Sequence, residues 1–294
     1  MTDINLEQTQ PKITSKLQQL IAKYHADQDK QSYREMMEQF RTAGKLWVAK
    51  SPTTKNYLLN YVDSVPTAYL FSDKTYYELF EKACKEKNVA VECEETTVPQ
   101  RLRLFSDLYR SGFEGIEIDK GQVAIRMSLF TVIEKPDFSN LPENKRPIMN
   151  PSFMRAANAF LQATEWDQVT DGLKNDLLEE IFSASYLLPM ESKGKDVGQV
   201  KRRSTGKTVM KKNSELSLPL IRNTEAQHYF PIFSDLHEYV KYDTKRQYKI
   251  LEVTLEDIKE FIAEADGAVI NPFGANIVLN KNMLDEMETL ETEK

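Results

Sequence analysis

Gly206-Lys207-Thr208 reads like the end of a phosphate-cradling P-loop. Such a loop needs another glycine five residues before Gly206, where backbone N–H groups wrap the phosphate. That position is Lys201, so the motif fails. The histidines are His25, His228 and His237, and no carboxylate stands near them at metal-ligand spacing. Cys84 and Cys93 lie nine residues apart across an expected helix-to-strand turn. A nucleophilic thiol needs a neighbouring base and a lowered pKa, and neither is legible, so these cysteines read as small apolar fillers. There is no Gly-x-Ser-x-Gly and no Ser/His/Asp arrangement. No catalytic residue, metal ligand or cofactor site is assigned. Acid–base chemistry would need converging carboxylates. Asp73 and Asp235 occur in matching contexts, but helix capping explains both. Asp266 and Asn271 flank an expected strand, where turn geometry explains them or they bind something.

The segment with the strongest physical character is basic. From Lys193 to Lys212 it carries Lys193, Lys195, Lys201, Arg202, Arg203, Lys207, Lys211 and Lys212 against Asp196 alone. That is +7 inside a chain of net charge -6, so the remainder holds -13. Ser204-Thr205-Gly206 punctuates the middle, which predicts a protruding hairpin or loop. Such a charge block can dock an acidic protein, nucleic acid or an anionic membrane, or stay a solvated loop. It contains no aromatic residue, which disfavours nucleic acid, where bases stack on rings. It has no amphipathic helix to lie in a membrane surface. Another protein with an acidic surface is the expected partner.

The rest of the chain is expected to position these residues through a repeated unit. Phe71-Ser72-Asp73 recurs as Phe233-Ser234-Asp235, each after an apolar-aromatic run and before an aromatic-bearing helical segment. Phe113-Glu114-Gly115-Ile116-Glu117-Ile118 resembles Ala265-Asp266-Gly267-Ala268-Val269-Ile270. Upstream, Glu38–Ala43 pairs with Glu179–Ala184. The three matches come in the same order and predict a duplication. Their spacing places an insertion near 191–213 in the second copy, which is the basic segment. The linker is expected at 136–150, rich in Pro and Asn, between domains 1–135 and 151–294.

Each copy is expected to open with two helices, 14–27 and 30–42 in the first, with Thr14 capping. Strands follow at 46–49, 56–62 and 67–71, then at 186–190, 215–220 and 228–233. Further helices are expected at 98–110 and 254–264. The last strand pair turns at Asp119-Lys120-Gly121 and at Asn271-Pro272-Phe273-Gly274, with glycine supplying positive φ. Asn280 or Asn282 is placed to cap a short C-terminal helix. The fold class is α+β: two related domains, each a mostly antiparallel sheet with helices on one side.

This order of elements resembles the SseB family, named for a bacterial enhanced-serine-sensitivity protein. The residues that carry the likeness are Phe233, Ser234 and Asp235, with Asp266, Gly267, Asn271, Pro272 and Gly274. The first copy keeps Phe71-Ser72-Asp73 and Gly115 but lacks the Asn-Pro pair. The resemblance implies tandem α+β domains in the bacterial cytoplasm and no established catalytic activity. Composition agrees with a globular chain of 294 residues: 40% hydrophobic, 29% charged, mean hydropathy -0.53, with no long apolar run. Met1-Thr2-Asp3-Ile4-Asn5 has neither a basic nor an apolar leader region, so a cytoplasmic location is expected. Two cysteines exclude a disulfide framework and a four-cysteine zinc site. The expected function is a non-enzymatic, adaptor- or immunity-like interaction module. The alternative is a small-ligand-binding regulator linked to amino-acid (serine) metabolism, with its pocket near Asp235 and Asn271.

Overall fold

The computed structural model describes residues 15–142, 145–192, 201–202, 208–209, 216–261 and 265–284. By packing, the chain divides into two compact units. One takes the described residues up to Asp137 together with Met154–Lys174; the other takes Phe138–Phe153 and the described residues from Asn175 on.

The first unit opens with α1 (Lys16–Asp27) and α2 (Lys30–Thr42). Ser15 caps α1 by accepting from the Gln18 N–H, and Asp29 caps α2 through the Ser32 N–H. Thr14, the expected cap, lies outside the described residues. Then come β1 (Lys45–Ser51), β2 (Asn56–Tyr57), β3 (Asn60–Val62), β4 (Val65–Phe71), α3 (Lys74–Glu86), β5 (Glu92–Thr97), α4 (Arg101–Arg110), β6 (Gly115–Ile118) and β7 (Ile125–Ser128). The single strand expected at 56–62 is broken. At Leu59 the backbone N–H and C=O bond the side-chain amide of Gln162, and Asn158 donates to the Tyr57 carbonyl. The amides satisfy backbone groups that a neighbouring strand would otherwise take.

The sheet order is β2-β1-β4-β6-β7, with β3 beside β4 and β5 beside β1. Its pairs are antiparallel except β4 with β6, which run parallel with Ala68 opposite Ile116 and Leu70 opposite Ile118. Helices cover both faces, not one. Val48, Ala68 and Leu70 point to the core of α1, α2 and α4, with Phe40 and Phe105. Ala49, Tyr69 and Phe71 point to α3, with Tyr77 and Phe80. The reason is legible in β4: Ala68-Tyr69-Leu70-Phe71 has no polar alternation, as a strand buried on both sides requires. Burial of each such large side chain contributes about 1.5–3 kcal/mol.

The second half repeats the order of elements. It comprises α5 (Pro151–Glu165), α6 (Asp171–Ser183), β8 (Tyr186–Ser192), β9 (Lys201–Arg202), β10 (Thr208–Val209), β11 (Leu216–Ser217), β12 (Ile221–Arg222), β13 (His228–Ile232), α7 (Leu236–Tyr242), β14 (Lys249–Val253), α8 (Leu255–Phe261), β15 (Gly267–Ile270) and β16 (Ile277–Asn280). β13 and β15 are the parallel pair, and β15 and β16 close antiparallel. The strand expected at 215–220 is two short pieces, β11 on β8 and β12 on β13. Asn280 accepts from the Met283 N–H and starts the helical residues 281–284.

Candidate functional site

The recurring Phe-Ser-Asp element assigns one task to each residue. Phe233 is fully buried and meets Tyr239 edge-on, with ring centroids 5.5 Å apart. Asp235 has extended backbone, and its carboxylate accepts the Glu238 N–H at 2.9 Å, capping α7. Ser234 is locked to Asn271. Its backbone N–H donates to Asn271 Oδ1 at 2.9 Å, and Asn271 Nδ2 donates to Ser234 Oγ at 2.8 Å. Asn150, just ahead of α5, donates to the Ser234 carbonyl at 2.6 Å.

The first unit has the same latch with an acid in it. The Ser72 N–H and Oγ–H both donate to the Asp119 carboxylate at 2.7 Å. Ser15, ahead of α1, shares a 2.7 Å bond with Ser72 Oγ. Asp119 and Asn271 both adopt left-handed backbone, φ 58° and 52°. Asp and Asn tolerate that region better than most residues. Burial pushes the Asp119 carboxyl up to about 6, against the opposing hydrogen bonds from Ser72.

The remaining motif residues also serve the frame. Asp266 Oδ2 accepts the His228 N–H at 2.7 Å, holding the first rung of β13 and β15. Gly267 has no room for a side chain, because a Cβ there would lie 2.1 Å from the Leu279 carbonyl oxygen. Of the glycines expected to supply positive φ in the last turns, Gly121 does so at φ 87° and Gly274 does not; in the second unit Asn271 takes that conformation, followed by Pro272 and Phe273. Gly274 is there for closeness, since a Cβ would meet Glu238 Oε2 at 2.6 Å. Asp235 and Asn271, expected beside a pocket, are both buried and engaged within the fold.

Of the basic segment, Lys201 and Arg202 form β9, antiparallel to Thr208 and Val209 of β10. Lys193, Lys195, Arg203, Lys207, Lys211 and Lys212 lie outside the described residues. Burial raises the Cys84 thiol to about 12, the wrong direction for a nucleophile. Among the described residues no group of three His, Cys, Asp or Glu side chains could hold a metal ion, and no helix is long and apolar enough to cross a membrane.

A cleft of about 1100 Å³ lies in the first unit, beside the turn that matches Asn271–Gly274. Tyr24, His25, Tyr33, Glu117, Lys120 and Arg126 line it. Glu117 is 2% exposed. Its Oε1 lies 3.6 Å from Lys120 Nζ and 3.4 Å from Arg126 Nε, while Oε2 has no hydrogen-bond partner. Sequence reasoning missed this group because Glu117 sits in an otherwise apolar strand and its cations follow the turn. A charged residue between Ile116 and Ile118 was the available signal.

Residues 162–286 match the family model described as the SseB protein N-terminal domain. No curated protein sequence matches the chain. Among solved structures, Tic22 from Plasmodium falciparum is similar at 8% identity, covering 88% of this chain and 98% of that one, with a TM-score of 0.19. A superposition that loose carries no argument about this chain.

Proposed function

From the premise that the second half carries an SseB-type N-terminal domain, we propose that the chain is a non-enzymatic protein-interaction module, adaptor- or immunity-like, in the bacterial cytoplasm. It grew by duplication of one such unit, and the second copy gained the basic arm. The observation that carries the reading is the arm's charge of +7 in an otherwise acidic chain, with a backbone ladder at its centre. A charge block of that size steers an acidic partner and makes association depend on salt. The test is affinity purification from native lysate at low and high salt, with wild type beside Lys201→Glu/Arg202→Glu/Arg203→Glu. The expected result is a stoichiometric protein partner, lost at high salt and reduced at least tenfold in the variant. Equal recovery with both proteins rejects the arm as the docking element.

The cleft at Glu117 favours a second reading, a small-ligand-binding regulator linked to amino-acid metabolism, with serine among the candidates. A buried carboxylate oxygen without a partner seeks a donor, and the neighbouring cations suit an anionic group on the same ligand. A ligand at a hundred times its Kd stabilises by about 2.7 kcal/mol. The expectation is a melting-temperature rise with one L-amino acid of a panel, abolished in Glu117→Gln and unaffected by the arm reversal. A flat panel, or an equal rise in Glu117→Gln, rejects this reading.

A further inference from the structure

The cleft beside the Asp119 turn is lined from both faces of the first sheet. Ile116 and Ile118 of β6, with Ile125 and Met127 of β7, face the core of α1, α2 and α4. Strand alternation therefore points Glu117 and Arg126 to the opposite face. Tyr24 and Tyr33 pack with that core, their rings 5.4 Å apart, yet they line the same cleft as Glu117, Lys120 and Arg126. A cleft reached from both faces runs along an edge of the sheet, and β7 is the last strand of the sheet order.

The backbone of that edge is turned outward at two residues. The Leu129 N–H donates to the Glu114 carbonyl directly opposite it, so Met127 and Ile125 are the residues of β7 that bond β6 in turn. The Asp119 N–H donates to the Leu70 carbonyl, which turns Asp119 and Glu117 toward β4 and agrees with that alternation. Arg126 and Ser128, opposite Glu117 and Gly115, therefore point their N–H and C=O away from the sheet. A charge on an edge strand ordinarily guards it against pairing. Arg126 leans inward instead, with Nε 3.4 Å from Glu117 Oε1 and Nη1 3.8 Å from Asp63 Oδ2. In the second unit Val269 and Val278 stand where Glu117 and Arg126 stand, so the charged pair is particular to the first.

We propose that the β7 edge takes an extended peptide segment of a partner protein as an added strand. The segment pairs its backbone with Arg126 and Ser128, and its side chains alternate between the two walls of the cleft. Apolar residues meet Tyr24, Tyr33 and Met127, and a Ser, Thr, Asn or Gln between them donates to Glu117, whose Oε2 is buried without a hydrogen-bond partner. A neutral donor suits the site better than a further ion, because Lys120 and Arg126 already stand against Glu117 and Asp63. At about 1100 Å³ the cleft exceeds the usual small-molecule range of about 300–1,000 Å³ and has room for several residues of an extended chain. The proposal rests on the reading that this cleft binds through Glu117, and it commits the cleft to a peptide backbone where that reading names a free amino acid.

The experiment is amide hydrogen exchange of the full chain by NMR, with the capped heptapeptide Ser-Tyr-Thr-Val-Thr-Tyr-Ser. The expected result is protection gained at the Arg126 and Ser128 N–H groups, while Met127, already bonded to β6, stays as it was. Ser128 has φ -64°, which suits proline, so Ser128→Pro deletes one outward N–H without backbone strain and should raise the Kd at least tenfold. Two comparator peptides test the wild-type protein independently of that variant. One is N-methylated at its three central residues and the other carries Val for both Thr, and each should bind at least tenfold more weakly. No protection at Arg126 and Ser128, or equal binding of either comparator, overturns the proposal. So does equal binding by Ser128→Pro with an unchanged tryptophan-detected urea midpoint. Protection of the same two amides that grows with protein concentration in the absence of peptide also overturns it, and assigns the edge to a second copy of the chain. The amino-acid reading fails or stands separately, because its melting shift depends on Glu117 and is indifferent to Ser128→Pro.

Discussion

Gly267→Ala is expected to destabilise the second unit by about 3 kcal/mol or more, among the largest effects of any single substitution here. The added Cβ would lie 2.1 Å from the Leu279 carbonyl oxygen and 2.9 Å from the Asn280 Cα, all of it backbone in the facing strand. No side chain can rotate away, so the rungs between β15 and β16 must open. Two other glycines calibrate the result. At Gly115, which matches Gly267 in the first unit, a Cβ would meet side chains only, Thr67 Oγ1 at 2.7 Å and Val65 Cγ1 at 3.1 Å, and turning the hydroxyl aside gives up its bond to the Val65 carbonyl, so about 1 kcal/mol is expected. At Gly44 nothing lies within 4 Å, so Gly44→Ala should be within roughly 0.5 kcal/mol of wild type. The measurement is urea unfolding followed by two probes. Both tryptophans, Trp47 and Trp166, belong to the first unit, whereas far-UV circular dichroism reports both. Gly267→Ala should split the transition, with dichroism falling early and fluorescence holding its midpoint. An unchanged dichroism midpoint would show that the strands part more easily than their geometry allows.

The second large effect is a pH dependence confined to the first unit. Asp119 has its carboxyl raised from 3.8 to about 6 by burial. The folded unit therefore binds its proton more tightly than the unfolded chain does. The resulting stability is fully present below about 4 and is lost as pH rises through about 6. A shift of that size corresponds to about 3 kcal/mol. Unit two carries its own control, because the matching residue is Asn271, which bonds its serine without titrating. Asp119→Asn should stabilise the first unit at pH 8 by up to about 3 kcal/mol and by little at pH 4. Asp29, whose carboxyl is lowered by the Ser32 bonds, contributes a pH slope of the opposite sign. The quantity to read is therefore the difference between wild type and variant, by tryptophan fluorescence in urea at each pH. A difference that does not change between pH 4 and 8 would remove Asp119 as the titrating group.

Local chemistry was legible in the sequence, and long-range chemistry was not. Asp73 and Asp235 were readable as helix caps because a cap bonds its own next turn. The Phe of the same tripeptide is core in both units, fully buried at Phe71 and Phe233. The task of its serine was not legible, because Ser72 and Ser234 bond Asp119 and Asn271 across 47 and 37 residues. The same limit hid the second helical face of the sheet. Unbroken apolarity at Ala68-Tyr69-Leu70-Phe71 requires two covered sides, but it does not say which helix supplies each. The strand expected at 56–62 failed for a similar reason, since Gln162 takes up the backbone of Leu59 from more than a hundred residues away. Asp266, Asn271 and Gly274 carried the family likeness, and each is placed to hold the frame.

The latch also orders events in time. A chain emerging from the ribosome presents Ser72 long before Asp119, and β4 before its parallel neighbour β6. Closing a loop across a separation of 47 residues costs an entropy of roughly 3 kcal/mol, much the same as across the 37 of the second latch. Hairpins such as β3–β4 and β6–β7 span only short turns and can pair as soon as they are made. The nascent unit therefore holds Phe71 and its neighbours on an unfinished strand edge until the last two strands arrive. Its vulnerable window during synthesis lasts until Asn158 and Gln162, which bond the backbone of Tyr57 and Leu59, have left the exit tunnel.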